Sequence, residues 1–150
     1  MARATASWLG ALAVVVLTLG ACGDDDDDTD ASAAPLDAAT LEGRTFVSTE
    51  VEGEALVDGT EVTLTFEQEQ LSARAGCNTL FGGFEIDAGT LIADQLAQTQ
   101  MACDDALQAQ DVWLSELLQG RPTIALAGDA LTLSSESVTV TLSDEGRGGA

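Results

Sequence analysis

Val62-Thr63-Leu64-Thr65-Phe66 leads through the polar stretch Glu67-Gln68-Glu69-Gln70 into Leu71-Ser72-Ala73-Arg74-Ala75. On both sides of the polar stretch, apolar residues fall at every second position. That is the period of a strand with one face on a core and the other in water, so residues 62–75 read as an antiparallel hairpin. The same rhythm returns in Val138, Val140 and Leu142, interleaved with Thr139 and Thr141. Shorter strands are expected near residues 44–49, 83–86, 90–92, 123–126 and 131–134. Turn residues separate them: Asp58-Gly59, Ala88-Gly89 and Gly128-Asp129.

One segment breaks the alternation. From Asp104 to Gln119, Leu107, Trp113, Leu114, Leu117 and Leu118 recur at helical spacing on one side, with Asp111, Ser115 and Glu116 between them. Asp104 or Asp105 can cap the start, Gly120 suits the position after the end, and Pro122 blocks continuation. This predicts one amphipathic helix whose apolar stripe, Trp113 included, packs on the sheet. The rival use of the stripe is as a ligand surface.

The chain begins differently. Arg3 precedes an apolar stretch from Trp8 that ends in Leu19-Gly20-Ala21-Cys22. This is the layout of a secretory signal peptide, too short and wrongly flanked for a spanning helix. The last four residues resemble the lipobox of bacterial lipoproteins, where diacylglycerol is attached to the cysteine thiol before cleavage. Residues 1–21 are then a leader, and Cys22 is the first mature residue and the lipidation site. The alternative is an ordinary signal peptide with a cysteine near its cut.

Residues 22–37, with Asp24 to Asp28 unbroken, have nothing to bury and read as a disordered acidic tether. Five consecutive Asp supply diffuse charge rather than the spaced oxygens of a calcium loop. Residues 38–143 form the folded domain, and 144–150 read as a Gly-rich flexible tail.

Of 150 residues, 26 are Asp or Glu and five are Arg, with no Lys, a net charge of -21. From Cys22 onward four Arg remain against the same 26 acids, a net charge near -22. Nucleic acid is excluded as a partner, because affinity for phosphate backbones comes from clustered Lys and Arg. Anionic headgroups repel such a body, so membrane association rests on the lipid alone. A lysine-free acidic surface also fits life in high salt, where self-repulsion is screened.

With Cys22 set aside, Cys77 and Cys103 remain. In an oxidising exported compartment they are most simply one disulfide; the rival is two buried free thiols acting as small apolar core residues.

Catalytic candidates are scarce. The chain has no His and no Tyr, which removes His triads, the commonest general base and the commonest metal ligand. No Lys is present for a P-loop or a Schiff base, and no Gly-x-Ser-x-Gly elbow occurs. Zinc would have to rest on Cys77, Cys103 and carboxylates. A pair of carboxylates could still support glycoside hydrolysis, but with 26 acids close pairs arise by chance. The expectation is a protein that is not an enzyme, with no catalytic residue, metal or cofactor.

The distinctive local sequence is Ala75-Gly76-Cys77-Asn78-Thr79-Leu80-Phe81-Gly82-Gly83-Phe84, answered by Gln98-Thr99-Gln100-Met101-Ala102-Cys103. Ala75 and Gly76 permit close backbone approach, Asn78 can bond neighbouring backbone, and Gly82-Gly83 can take dihedrals closed to other residues. Together with the acidic helix, its aromatic, and the closing Gly-Asp-Ala-Leu-Thr-Leu at 128–133, these motifs resemble the META domain family. That group includes the HslJ-like heat-inducible bacterial lipoproteins.

The resemblance covers about residues 41–142 and makes Gly76, Asn78, Gly82, Thr99 and Met101 structural motif residues. Where members commonly carry tryptophan in the first strand, this chain has Phe46. The fold implied is α+β: a single small domain with a twisted antiparallel sheet or partial barrel and one amphipathic helix packed against it. The function implied is that of a noncatalytic, lipid-anchored bacterial envelope protein linked to stress or antibiotic tolerance, which binds or supports an envelope component. A small-molecule-binding lipoprotein domain is the main alternative and a carboxylate-pair hydrolase a distant one. A protein partner calls for an exposed apolar patch, and a small ligand for a concave pocket with convergent polar groups.

Overall fold

The computed structural model describes residues 35–147. The leader, Cys22 and nearly all of the acidic tether lie outside the described residues. A one-turn helix α1 (Ala38–Leu41) starts at Asp37, whose carboxylate accepts the Thr40 N–H at 2.8 Å, and it delivers Leu41 to the core.

The strands are β1 (Arg44–Glu52), β2 (Thr63–Glu67), β3 (Gln70–Arg74), β4 (Thr79–Gly83), β5 (Glu85–Asp87), β6 (Thr90–Ile92) and β7 (Ala97–Gln98). After helix α2 (Asp105–Gln119) come β8 (Thr123–Ala127), β9 (Ala130–Ser134) and β10 (Thr139–Arg147). They form one antiparallel sheet in the order β5-β6-β8-β9-β10-β1-β2-β3-β4-β7.

That order dictates the shape. β4 and β5 stand toward opposite ends of the sheet, yet Phe84 alone separates them along the chain. The sheet must curl until its ends meet, so it is a half-barrel rather than an open layer. Phe84 is buried at the meeting point, where its N–H donates to the Glu69 carbonyl at 3.4 Å.

The inside is filled by the alternating apolar residues. In the hairpin of residues 62–75, Phe66 pairs with Leu71 and Leu64 with Ala73, all four buried, while Thr63, Thr65 and Ser72 face outward. Its turn residues Gln68 and Glu69 both take positive φ, 51° and 61°, with no glycine to ease it. The Glu42 carboxylate compensates by accepting the Gln68 N–H at 2.6 Å. Phe46 takes the place expected for tryptophan, fully buried, with its ring edge-on to Phe66 at 6.0 Å.

Helix α2 keeps the phase expected of it: Leu114, Leu117 and Leu118 are buried, Trp113 is half-buried against the core, and Glu116 is exposed. Its ends differ from the expectation. Asp104 occupies the cap position without a side-chain cap bond. Gly120 keeps an ordinary φ of -73°, and the left-handed residue is Arg121, at φ 56°. A side chain in that region costs about 1–2 kcal/mol. Here the residue is held by its guanidinium, which donates to Asp94 at 2.7 and 3.2 Å, and this bonding keeps the Asp94 carboxyl below the usual carboxylate range.

Three further expectations are corrected. Residues 144–147 are not part of a loose tail but continue β10, because Arg44 grips Asp144 at 2.7 Å and pairs across the ladder with Arg147. Asp58-Gly59 is not a tight hairpin turn. It lies in a longer loop between β1 and β2, drawn toward α2 by a bond from the Val57 N–H to the Gln110 side chain at 2.6 Å. Residues 79–83 form a full strand despite Gly82-Gly83.

Candidate functional site

Four of the five motif residues, Gly76, Asn78, Thr99 and Met101, meet where α2 lies against the turn that leads into β4. Asp111, read from sequence as lying between the apolar positions, is 1% exposed. Its carboxylate accepts four N–H bonds: from the backbone of Gly76 at 3.2 Å, Cys77 at 3.1 Å and Asn78 at 2.9 Å, and from the Asn78 side-chain amide at 3.0 Å. Three successive backbone N–H groups aimed at one anion form a nest, and here the helix itself supplies the anion.

Asn78 passes the linkage on. Its carbonyl oxygen accepts the Thr99 hydroxyl at 3.0 Å and the Met101 N–H at 2.7 Å, while the Thr99 hydroxyl oxygen accepts the Thr79 N–H at 3.0 Å. Helix, turn and the segment entering the helix are thus one connected polar network. Among the described residues, no fully buried side-chain nitrogen or oxygen lacks a partner.

The preceding helix residue makes a second clamp. Gln110, 5% exposed, donates to the Thr60 hydroxyl at 2.8 Å and to the Ala75 carbonyl, and it accepts the Val57 N–H. Two consecutive buried polar side chains therefore tie α2 to the β1–β2 loop and to the Gly-Cys-Asn turn. Sequence reading missed both. The signal was present, since 110 and 111 lie three and four residues after Leu107, on the stripe that continues to Leu114 and Leu118.

The glycines have steric causes. A Cβ on Gly76 would sit 2.4 Å from the Leu107 carbonyl oxygen and 2.8 Å from Asp111, so only glycine lets the turn reach the helix. Gly82 lies apart from this cluster and is equally constrained, with the Gln95 carbonyl oxygen 2.4 Å from where its Cβ would be. Neither has a positive φ; the need is space, not the special dihedrals expected of Gly82-Gly83. Met101 contributes its backbone N–H, and its side chain is 62% exposed.

A disulfide joins Cys77 to Cys103, with Cα atoms 6.2 Å apart across 26 residues. It runs parallel to the Asn78 bonds and holds the same segment. Replacing both cysteines by serine is expected to lower stability by about 3.5 kcal/mol, the loop-closure value for this span. The fold should survive on the Asp111 and Asn78 network, and urea unfolding with near-UV circular dichroism checks both statements.

The cluster's chemistry is that of a fastening. A carboxylate has about four acceptor positions, and the four N–H bonds to Asp111 take them up. Among the described residues, no group of three or more His, Cys, Asp or Glu side chains is arranged to hold a metal ion.

Comparison with known proteins agrees with this architecture. An NMR structure of a protein 27% identical in sequence superposes with a TM-score of 0.60, covering 72% of this chain and 94% of the other. A second, from Burkholderia xenovorans, is 22% identical with a TM-score of 0.59, covering 73% and 87%, a likeness of fold. No match was found among curated proteins. The sequence model of the META domain covers residues 39–146, from within α1 to near the end of β10, and on that match the chain belongs to the META domain family.

Proposed function

We propose that this META domain protein is exported, anchored to a bacterial envelope membrane by lipid on Cys22, and acts there without catalysis by binding or supporting another envelope component. The observation that carries this reading is Leu19-Gly20-Ala21-Cys22 at the end of the apolar leader, followed by an acidic stretch suited to hold a domain off the membrane. The Cys77–Cys103 disulfide supports an oxidising compartment. Full use of the Asp111 carboxylate in bonds to the turn supports a noncatalytic role for the motif cluster. A link to stress or antibiotic tolerance follows from the family resemblance.

The test is expression of the wild-type chain and Cys22→Ala in a bacterium fed labelled palmitate. Wild type should take up label and partition with membranes, because two or more acyl chains give stable retention where one is marginal. Cys22→Ala should take up none and appear as soluble or unprocessed protein. Wild-type mature protein that begins at another residue and is free in the medium would overturn the proposal.

A further inference from the structure

We propose that the groove between the C-terminal half of α2 and the β9–β10 turn binds a neutral saccharide. Its floor is apolar, made by Trp113, Leu117 and Val138. Its rim is polar, with Glu116 on the helix side and Ser135 and Ser137 on the turn side, in a cavity of about 210 Å³. Past Gly120 it opens into a shallower basin of about 660 Å³ that shares the same serines and adds Thr123, Ser134 and Glu136. An indole plate beside hydroxyl and carboxylate groups matches a pyranose ring, which has a C–H face and a rim of hydroxyls that both donate and accept.

Charge narrows the class. Two carboxylates line the walls of a chain with net charge -21, so phosphates and other anions are repelled. The single cation in the basin, Arg121, is bonded to Asp94 at 2.7 Å. The exposed large apolar side chains Phe81, Met101 and Val112 lie outside the groove, which favours a small polyol there over a protein partner.

The walls are also fixed in advance. Trp113 is packed against the core, the Ser135 N–H donates to the Val138 carbonyl at 2.8 Å, and the Ser135 hydroxyl accepts the Val138 N–H at 3.2 Å. Gly53 backs the Ser137 carbonyl so closely that no Cβ fits between them. The left-handed, non-glycine Arg121 forms the edge of the basin, the kind of strained residue that surrounding structure retains at binding sites. A rigid wall lowers the ordering cost of binding.

This inference rests on the noncatalytic binding reading above, yet each can fail alone. Calorimetric titration of the purified full chain with chitotetraose, cellotetraose and maltotetraose should show saturable binding to at least one. The Trp113→Phe variant, which keeps an aromatic in the core, should bind at least about tenfold more weakly. Glu136→Gln and Ser137→Ala, both exposed and outside the core, should weaken binding severalfold with an unchanged melting temperature. Absence of saturable binding to all three sugars, or binding unchanged in all three variants, overturns the groove and leaves the anchor at Cys22 standing. Conversely, sugar binding by a protein that carries no lipid retains the groove and removes the anchor.

Discussion

Asp111→Ala should destabilise the domain by about 3–5 kcal/mol, a large share of the stability of a small domain. The loss has two parts. Four charge-assisted hydrogen bonds disappear, and the Cys77 and Asn78 N–H groups are left buried without their acceptor. Asp111→Asn should recover only part of this, because its amide nitrogen would face donors that need an acceptor. Urea unfolding at constant m-value measures the change. A cycle with Asn78→Ala should be strongly non-additive, since both residues belong to one network. A loss below about 1 kcal/mol for Asp111→Ala, the size of one ordinary hydrogen bond, would show that the carboxylate is not what holds the turn.

Phe66→Ala is expected to cost about 3–5 kcal/mol. The ring is fully buried and lies between two others, Phe46 at 6.0 Å and Phe84 at 5.0 Å, both edge-on. Its removal takes away apolar burial and two aromatic contacts at once. It also undercuts Phe84, the residue at which the two ends of the sheet meet. Phe81→Ala, with its ring 45% exposed on the outer face of β4, is the control and should change stability little. Comparable losses in the two variants would mean that the inward and outward faces of the sheet have been misassigned.

The hairpin of residues 62–75 and the phase of α2 were legible because a period of two and a period of 3.6 separate cleanly over those lengths. β4 was not, since Gly82-Gly83 carries turn chemistry and the reason for Gly82 is the approach of the Gln95 carbonyl, which no local pattern records. β7 is two residues long and exists only by pairing with Leu80 and Phe81. Asp111 was legible in position but not in role. Carboxylates are seldom buried, so one on an apolar stripe reads as the stripe's edge, and the donors that make its burial possible come from residues 33 to 35 positions away. The end of the helix misled in the opposite way, because the glycine at 120 does not use its freedom and the arginine at 121 is held left-handed by Asp94. Residues 144–147 looked loose because their anchor, Arg44, is 100 residues away in the chain.

β10 lies between β9 and β1 and pairs with both, so the last strand of the domain is the seam of its sheet. A chain that emerges N-terminus first, from a ribosome or an export channel, therefore holds two unjoined half-sheets until Arg147 is clear. The longest-range contacts must form last, which makes closure slow relative to local hairpins. Such a polypeptide keeps its two halves separable until its last strand is free, and it commits to its final shape in one late step.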